Sequence, residues 1–222
     1  MVIYLQKEIA HLEAQILTMC NMAEGALSLA VQSLHSRNVE LAKKVIDNDR
    51  DIDLFELEIE DECLKILALY QPVANDLRFV IAILKINSDL ERIGDLAVNI
   101  AERTISISAD PRELIPPILE EMEQKVQAML KDAIDSLVNL DERLARDLLA
   151  RDDEVDQLYR KMFILVEDSI RNKLENLDSY QHLLSVSSQL ERAADQVTNI
   201  AEDIIYIICG EIIRHHQSLA KN

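Results

Sequence analysis

Apolar residues recur every three or four positions along almost the whole chain, and nowhere do they alternate by two. That is the period of helices buried along one face. The first such run, from about Ile3 to Leu34, carries Ile9, Leu12, Ile16, Met19, Ala23, Ala26 and Ala30. Ser36-Arg37-Asn38 interrupts it, with Asn38 placed as the N-cap of a second helix from about Val39 to Tyr70. Ile52, Phe55 and Ile59 form the seam of that helix, and Pro72 ends it. A third helix from about Val73 to Ser108 presents Leu90, Ile93, Ala97, Ile100, Thr104 and Ile107. Asp110-Pro111 and Pro116-Pro117 bracket a linker. The pattern then restarts with a helix from about Ile118 to Val138, and Asp141 caps the next one, which runs to about Leu174 with the seam Val155, Leu158 and Met162. Asn176-Leu177-Asp178 makes a turn, and Asp178 with Gln181 reads as a capping box for a last helix to about Ile208. Its seam is Leu190, Ala193, Val197, Ile200, Ile204 and Ile207, and Gly210 stops it as a C′ residue. The expected fold is all-α: two tandem three-helix bundles with internal pseudo-symmetry, over residues 1–110 and 117–209, followed by a loose tail over 210–222.

The symmetry is written in the residues. Leu90-Glu91-Arg92-Ile93-Gly94-Asp95-Leu96-Ala97-Val98-Asn99-Ile100-Ala101-Glu102 returns as Leu190-Glu191-Arg192-Ala193-Ala194-Asp195-Gln196-Val197-Thr198-Asn199-Ile200-Ala201-Glu202. Asp49-Arg50-Asp51-Ile52-Asp53 likewise answers to Asp152-Asp153-Glu154-Val155-Asp156. Two segments repeating at nearly one distance mark a duplicated unit.

On a helix turning about 100° per residue, Glu91, Asp95, Asn99 and Glu102 fall within about 80° of one another, on a stripe that faces away from the seam. Asp49 and Asp53 flank the seam of the preceding helix at i, i+4, as Asp152 and Asp156 do in the second copy. Like charges at that spacing destabilise a helix by about 0.2–0.5 kcal/mol per pair, and the chain carries four such pairs in duplicate register. A hard cation held by carboxylate and amide oxygens of two neighbouring helices would offset the repulsion. A solvated acidic face is the other reading of the same residues.

Composition narrows the function classes. The formal net charge of −18 excludes a nucleic-acid binder, which needs a basic stripe, and suits divalent cations or basic protein surfaces. No apolar run reaches the ~18–20 residues of a membrane span, and the start of the chain is already amphipathic, so a soluble cytoplasmic protein without a leader is expected. Cys20, Cys63 and Cys209 are scattered among apolar helical positions and read as buried free thiols. A catalytic di-iron bundle would need paired Glu-x-x-His motifs, and Glu8-x-x-His11 stands alone. His35, His182, His215 and His216 miss the acidic face and read as solvated. Ser185, Ser187 and Ser188 have no His-Asp partner, and no Gly-rich loop could cradle a phosphate. No enzyme class finds support.

The doubled Leu-Glu-Arg-x-x-Asp-x-x-x-Asn-Ile-Ala-Glu, the Asp-x-x-x-Asp partner segments, Ala68-Leu69-Tyr70-Gln71-Pro72 running into Asp76-Leu77-Arg78, and Gly210-Glu211-x-x-Arg214-His215 together resemble the PhoU family of phosphate-transport accessory proteins. The resemblance implies multinuclear iron or zinc clusters on the bundle surface. By resemblance the first would use Asp49, Asp53, Glu91 and Asp95, and the second Asp152, Asp156, Glu191 and Asp195. Glu56, Asn99, Glu102, Asn199, Glu202 and Asp203 would be additional or supporting ligands. It also implies negative regulation of phosphate uptake by a homodimer that links the phosphate ABC transporter's ATPase subunit to a sensor histidine kinase, at most peripherally at the inner face of the membrane. A metal-free helical adaptor, whose acidic faces meet basic partner surfaces, is the alternative.

The halves differ in detail. Tyr159 stands where the first half has Glu56, and Arg103 where the second has Asp203. Arg78 and Lys85 have Asp178 and Ser185 as counterparts, so a partner contact through those two cations would belong to the first half alone.

Overall fold

Helix ends come out where local chemistry marks them. Leu41 donates its backbone N–H to Asn38 Oδ1 at 3.0 Å, and Leu144 does the same to Asp141 Oδ1 at 3.1 Å. Each N-cap thereby satisfies a donor that has no partner inside its own helix. Gly210 takes φ +73° and returns its N–H to Tyr206 O, closing the last helix. The structure, a computed structural model, describes residues 2–108, 115–172 and 177–213. They form α1 (Val2–Ser36), α2 (Val39–Tyr70), α3 (Ala74–Ile107), α4 (Pro117–Asn139), α5 (Glu142–Asn172) and α6 (Leu177–Cys209), with no strand among the described residues. Most of the proposed linker, the turn at Asn176 and the tail from residue 214 lie outside the described residues. One cap needs correcting: α6 begins at Leu177, so Asp178 sits inside its first turn, where a carboxylate favours the helix dipole rather than capping the end.

α1, α2 and α3 pack on one another, and so do α4, α5 and α6. The two bundles are not separate bodies. Their most extensive contact is α3 against α6, supplemented by α1 against α4, and one hydrophobic core runs through both halves. Ile93, Ala97 and Ile100 of α3 and Ala193, Val197 and Ile200 of α6 are all buried in it. Lys85 meets Asp203, whereas Asp95 feels Arg192: as numbering rises along α3 it falls along α6. The pair is therefore antiparallel, and the pseudo-twofold passes between the two copies of the repeat. Among the cysteines, Cys20 and Cys63 are buried as expected. Cys209 is exposed, because it is the last residue of α6 and lies past the end of the seam.

Candidate functional site

α2 packs closely against α3 beside the first acidic pairs. A Cβ placed on Gly94 would stand 3.1 Å from Ile52 Cδ1 and 3.3 Å from Asp49 Oδ1, so the missing side chain is what lets Asp49 lie against α3. Asp49 is half-buried, and burial, then Asp53 and Asp95, push its carboxyl up to about 6. Burial also raises Glu91, followed by the charges of Asp95, Asp53, Glu56 and Asp49. Asp95 is raised by burial and Asp53, and Glu56 by burial, Glu60 and Asp53. Five carboxylates thus share one field: Asp49, Asp53 and Glu56 from α2, Glu91 and Asp95 from α3. The second copy repeats the arrangement between α5 and α6. Glu191 is raised by burial, then by Asp195, Asp156 and Asp152. Asp152 is buried and Asp156 lies 3.4 Å from Arg160. Within each set of four, the charges of the other three carboxylates reach Glu91 or Glu191.

The supporting residues divide differently. Asn99 spends its amide on Asp95 O at 2.9 Å, and Glu102 is exposed on α3. Asn199, Glu202 and Asp203 were expected beside the second cluster. They line instead a cleft of about 450 Å³ between α6 and α3, with Ser88, Asp89 and Tyr206. Glu202 is displaced by the helical rise, about 16 Å beyond Glu191, and Asp203 by a rotation of about 120°. There Lys85 Nζ reaches Asp203 Oδ1 at 2.6 Å and lies 5.6 Å from the Tyr206 ring centre. The other cation expected at a partner surface, Arg78, donates to Asn75 Oδ1 at 2.6 Å and tucks against Gly210. Both cations are held within the chain.

Three features escaped the sequence reading. Asp89 is buried in the same cleft, pushed up to about 7 by burial and by Asp203, against the pull of Arg92 and Lys85 and with a further push from Glu202. Arg192 crosses between halves, lowering Asp95 of the first cluster and Glu191 of the second. His35 at the end of α1 hydrogen-bonds the buried Glu123 of α4 and lies 4.0 Å from Glu120, so it is not the solvated histidine expected. His182 is half-buried, and His215 and His216 lie outside the described residues. An exchange of Asp89 for Gln189 between the copies was the one legible signal of the cleft.

Among the described residues, no three His, Cys, Asp or Glu side chains stand close enough to grip an ion as they are posed. No described helix is long and apolar enough to cross a membrane.

The PhoU domain family matches this chain twice, over residues 16–104 and 119–204. The chain belongs to the PhoU family. The two matched stretches correspond to the two bundles and leave the linker between them. A phosphate-specific transport system accessory protein PhoU homolog of Aquifex aeolicus is 39% identical over 210 residues, covering 94% of this chain and 95% of that protein. The PhoU accessory protein of Escherichia coli K12 is 32% identical over 213 residues, covering 94% and 86%. The crystal structure of PhoU from Pseudomonas aeruginosa superposes with a TM-score of 0.90 at 30% identity, over 93% of this chain and 99% of that one. The regulatory PhoU of Streptococcus pneumoniae gives 0.88 at 29%, over 94% and 99%. PhoU proteins are accessory, regulatory components of phosphate transport and not enzymes, and this chain shares that role.

Proposed function

We propose that this PhoU protein is a metal-binding negative regulator of phosphate uptake. It docks as a homodimer at the cytoplasmic face of the membrane and links the phosphate ABC transporter's ATPase subunit to a sensor histidine kinase. The observation that carries the metal half of the reading is the pair of acidic clusters, each assembled from adjoining helices at equivalent places in the two bundles. The donor set fits a hard cation: every member is a carboxylate, and no His or Cys joins it, which favours iron(III) over zinc. Asp49, Asp53, Glu91 and Asp95 would hold one group and Asp152, Asp156, Glu191 and Asp195 the other. Such an ion would supply positive charge where Asp49, Glu91, Asp95 and Glu191 are now driven towards their protonated forms. Several carboxylates per site would also let neighbouring ions be bridged, as a multinuclear cluster requires.

Deleting the gene should switch on phosphate-scavenging genes in cells grown at high phosphate; unchanged expression rejects the regulatory half. Elemental analysis of protein purified without chelator should find iron, reduced by roughly half when Glu91→Ala and Asp95→Ala are combined, since one of two equivalent sites is removed. A metal-free adaptor is the second reading. It is favoured by the exposure of Asp53 and Asp95 and by the Arg160 partner that Asp156 already has. Metal-free protein that still binds its partners decides for it.

A further inference from the structure

α2 is amphipathic twice over. Ile52, Ile59, Cys63 and Ile66 are buried in the core. About 180° away, Leu54, Leu57 and Leu64 fall within about 80° of one another and leave 49%, 57% and 52% of their surface exposed. Isolated exposed leucines are ordinary, but these three share one outer stripe of a single helix, a ridge broken by the exposed Asp61 between Leu57 and Leu64, and no described element buries them. The ridge belongs to one half only: Gln157, Arg160 and Glu167 occupy the matching positions of α5. Its setting is strongly acidic. From Arg50 to Asp61 the helix carries six carboxylates against one cation, the exposed Arg50 one turn before Leu54, and Asp51, Glu58, Glu60 and Asp61, which the acidic cluster does not use, are all exposed.

We propose that this leucine ridge is a docking surface for a basic amphipathic helix of a partner protein, its apolar face on Leu54, Leu57 and Leu64 and its Lys or Arg residues on the flanking carboxylates. The proposal deepens the linking role argued above and rests on it. Charge decides the occupant. A second copy of the chain pairing ridge to ridge would set these carboxylates against themselves, and an anionic lipid surface would be repelled by them. A cationic helix gains on both counts, burying the leucines and neutralising their rim.

The probe is a fluorescein-labelled 18-residue peptide of Leu, Ala and Lys with all its leucines on one helical face. Its control is a scrambled isomer of the same composition with no apolar face. Anisotropy titrations in physiological salt should show the amphipathic peptide binding the full chain at least about tenfold more tightly than the scrambled one. The combined variant Leu54→Gln, Leu57→Gln, Leu64→Gln should lose at least about tenfold, while Ile164→Gln on the outer face of α5 stays within about twofold. Circular dichroism and melting of both variants report that the fold is kept. Equal binding of the two peptides, or no loss in the triple variant, overturns the proposal, since adsorption to general acidity would then suffice. A dimer, or binding to phosphatidylglycerol vesicles, that the triple variant abolishes overturns it in favour of a second copy or a membrane. The two readings fail separately: peptide binding with unaltered gene expression on deletion rejects phosphate regulation alone, and altered expression without peptide binding rejects the ridge alone.

Discussion

Asp89 shows how far one side chain can be moved from its usual chemistry by where a helix carries it. With 9% of its side chain exposed and Asp203 opposite, it titrates near 7 although Arg92 and Lys85 pull the other way. Its folded pKa lies above its unfolded value, so the native state takes up a proton first. The stabilisation from that proton is complete below about pH 4 and is lost as pH rises towards about 7. Asp89→Asn should flatten this part of the stability curve and gain on the order of 1–2 kcal/mol relative to wild type between those limits, after discounting for the exposed cations nearby. Urea unfolding at a series of pH values measures it. Gly94 makes a steric test. A β-branched side chain there must displace Ile52 and Asp49, so Gly94→Val should destabilise by about 1–3 kcal/mol and disturb the first acidic cluster, whereas Ala194 already fills the matching place in the second. Equal stability of wild type and variant would show that α2 yields freely.

At the scale of the helix, the features that came directly from the residues were those that depend on neighbours in sequence. The caps at Asn38 and Asp141, the stop at Gly210 and the seams of α2, α3, α5 and α6 are all local patterns, and the structure keeps them. Asn38→Ala should therefore cost about 1 kcal/mol, read as a lower unfolding midpoint at unchanged m-value. The convergence of the acidic pairs was legible too, because the duplication set α2 against α3 and α5 against α6 in the same register. Contacts between α1 and α4 or α3 and α6 were not, since no periodicity within one helix says which face meets a distant one. His35 and Glu123 stand 88 residues apart, and nothing near either announces the bond. That bond also partly offsets the burial that raises Glu123. His35→Ala would strand the carboxylate, costing about 1–3 kcal/mol in urea unfolding. His35→Gln, which keeps a donor for Glu123, should recover part of that loss, and an equal loss in both variants would mean that packing alone is at stake.

Across the whole molecule, the sequence marked two bundles but not their fusion. The continuous core through α3 and α6 predicts that the halves unfold together: calorimetry should give one transition whose van't Hoff and calorimetric enthalpies agree, and two resolved transitions would contradict the shared core. That same seam is where the duplicated halves part company. Arg92 lies 3.6 Å from the Asp89 carboxylate, while its twin Arg192 lies 3.5 Å from the neutral amide oxygen of Gln189 and lowers Asp95 and Glu191 by its charge. One acid-for-amide exchange thus gives a nearly palindromic body a heading. Two helices that are almost interchangeable by shape are therefore distinguishable by charge, and the field at one end of their seam is not repeated at the other.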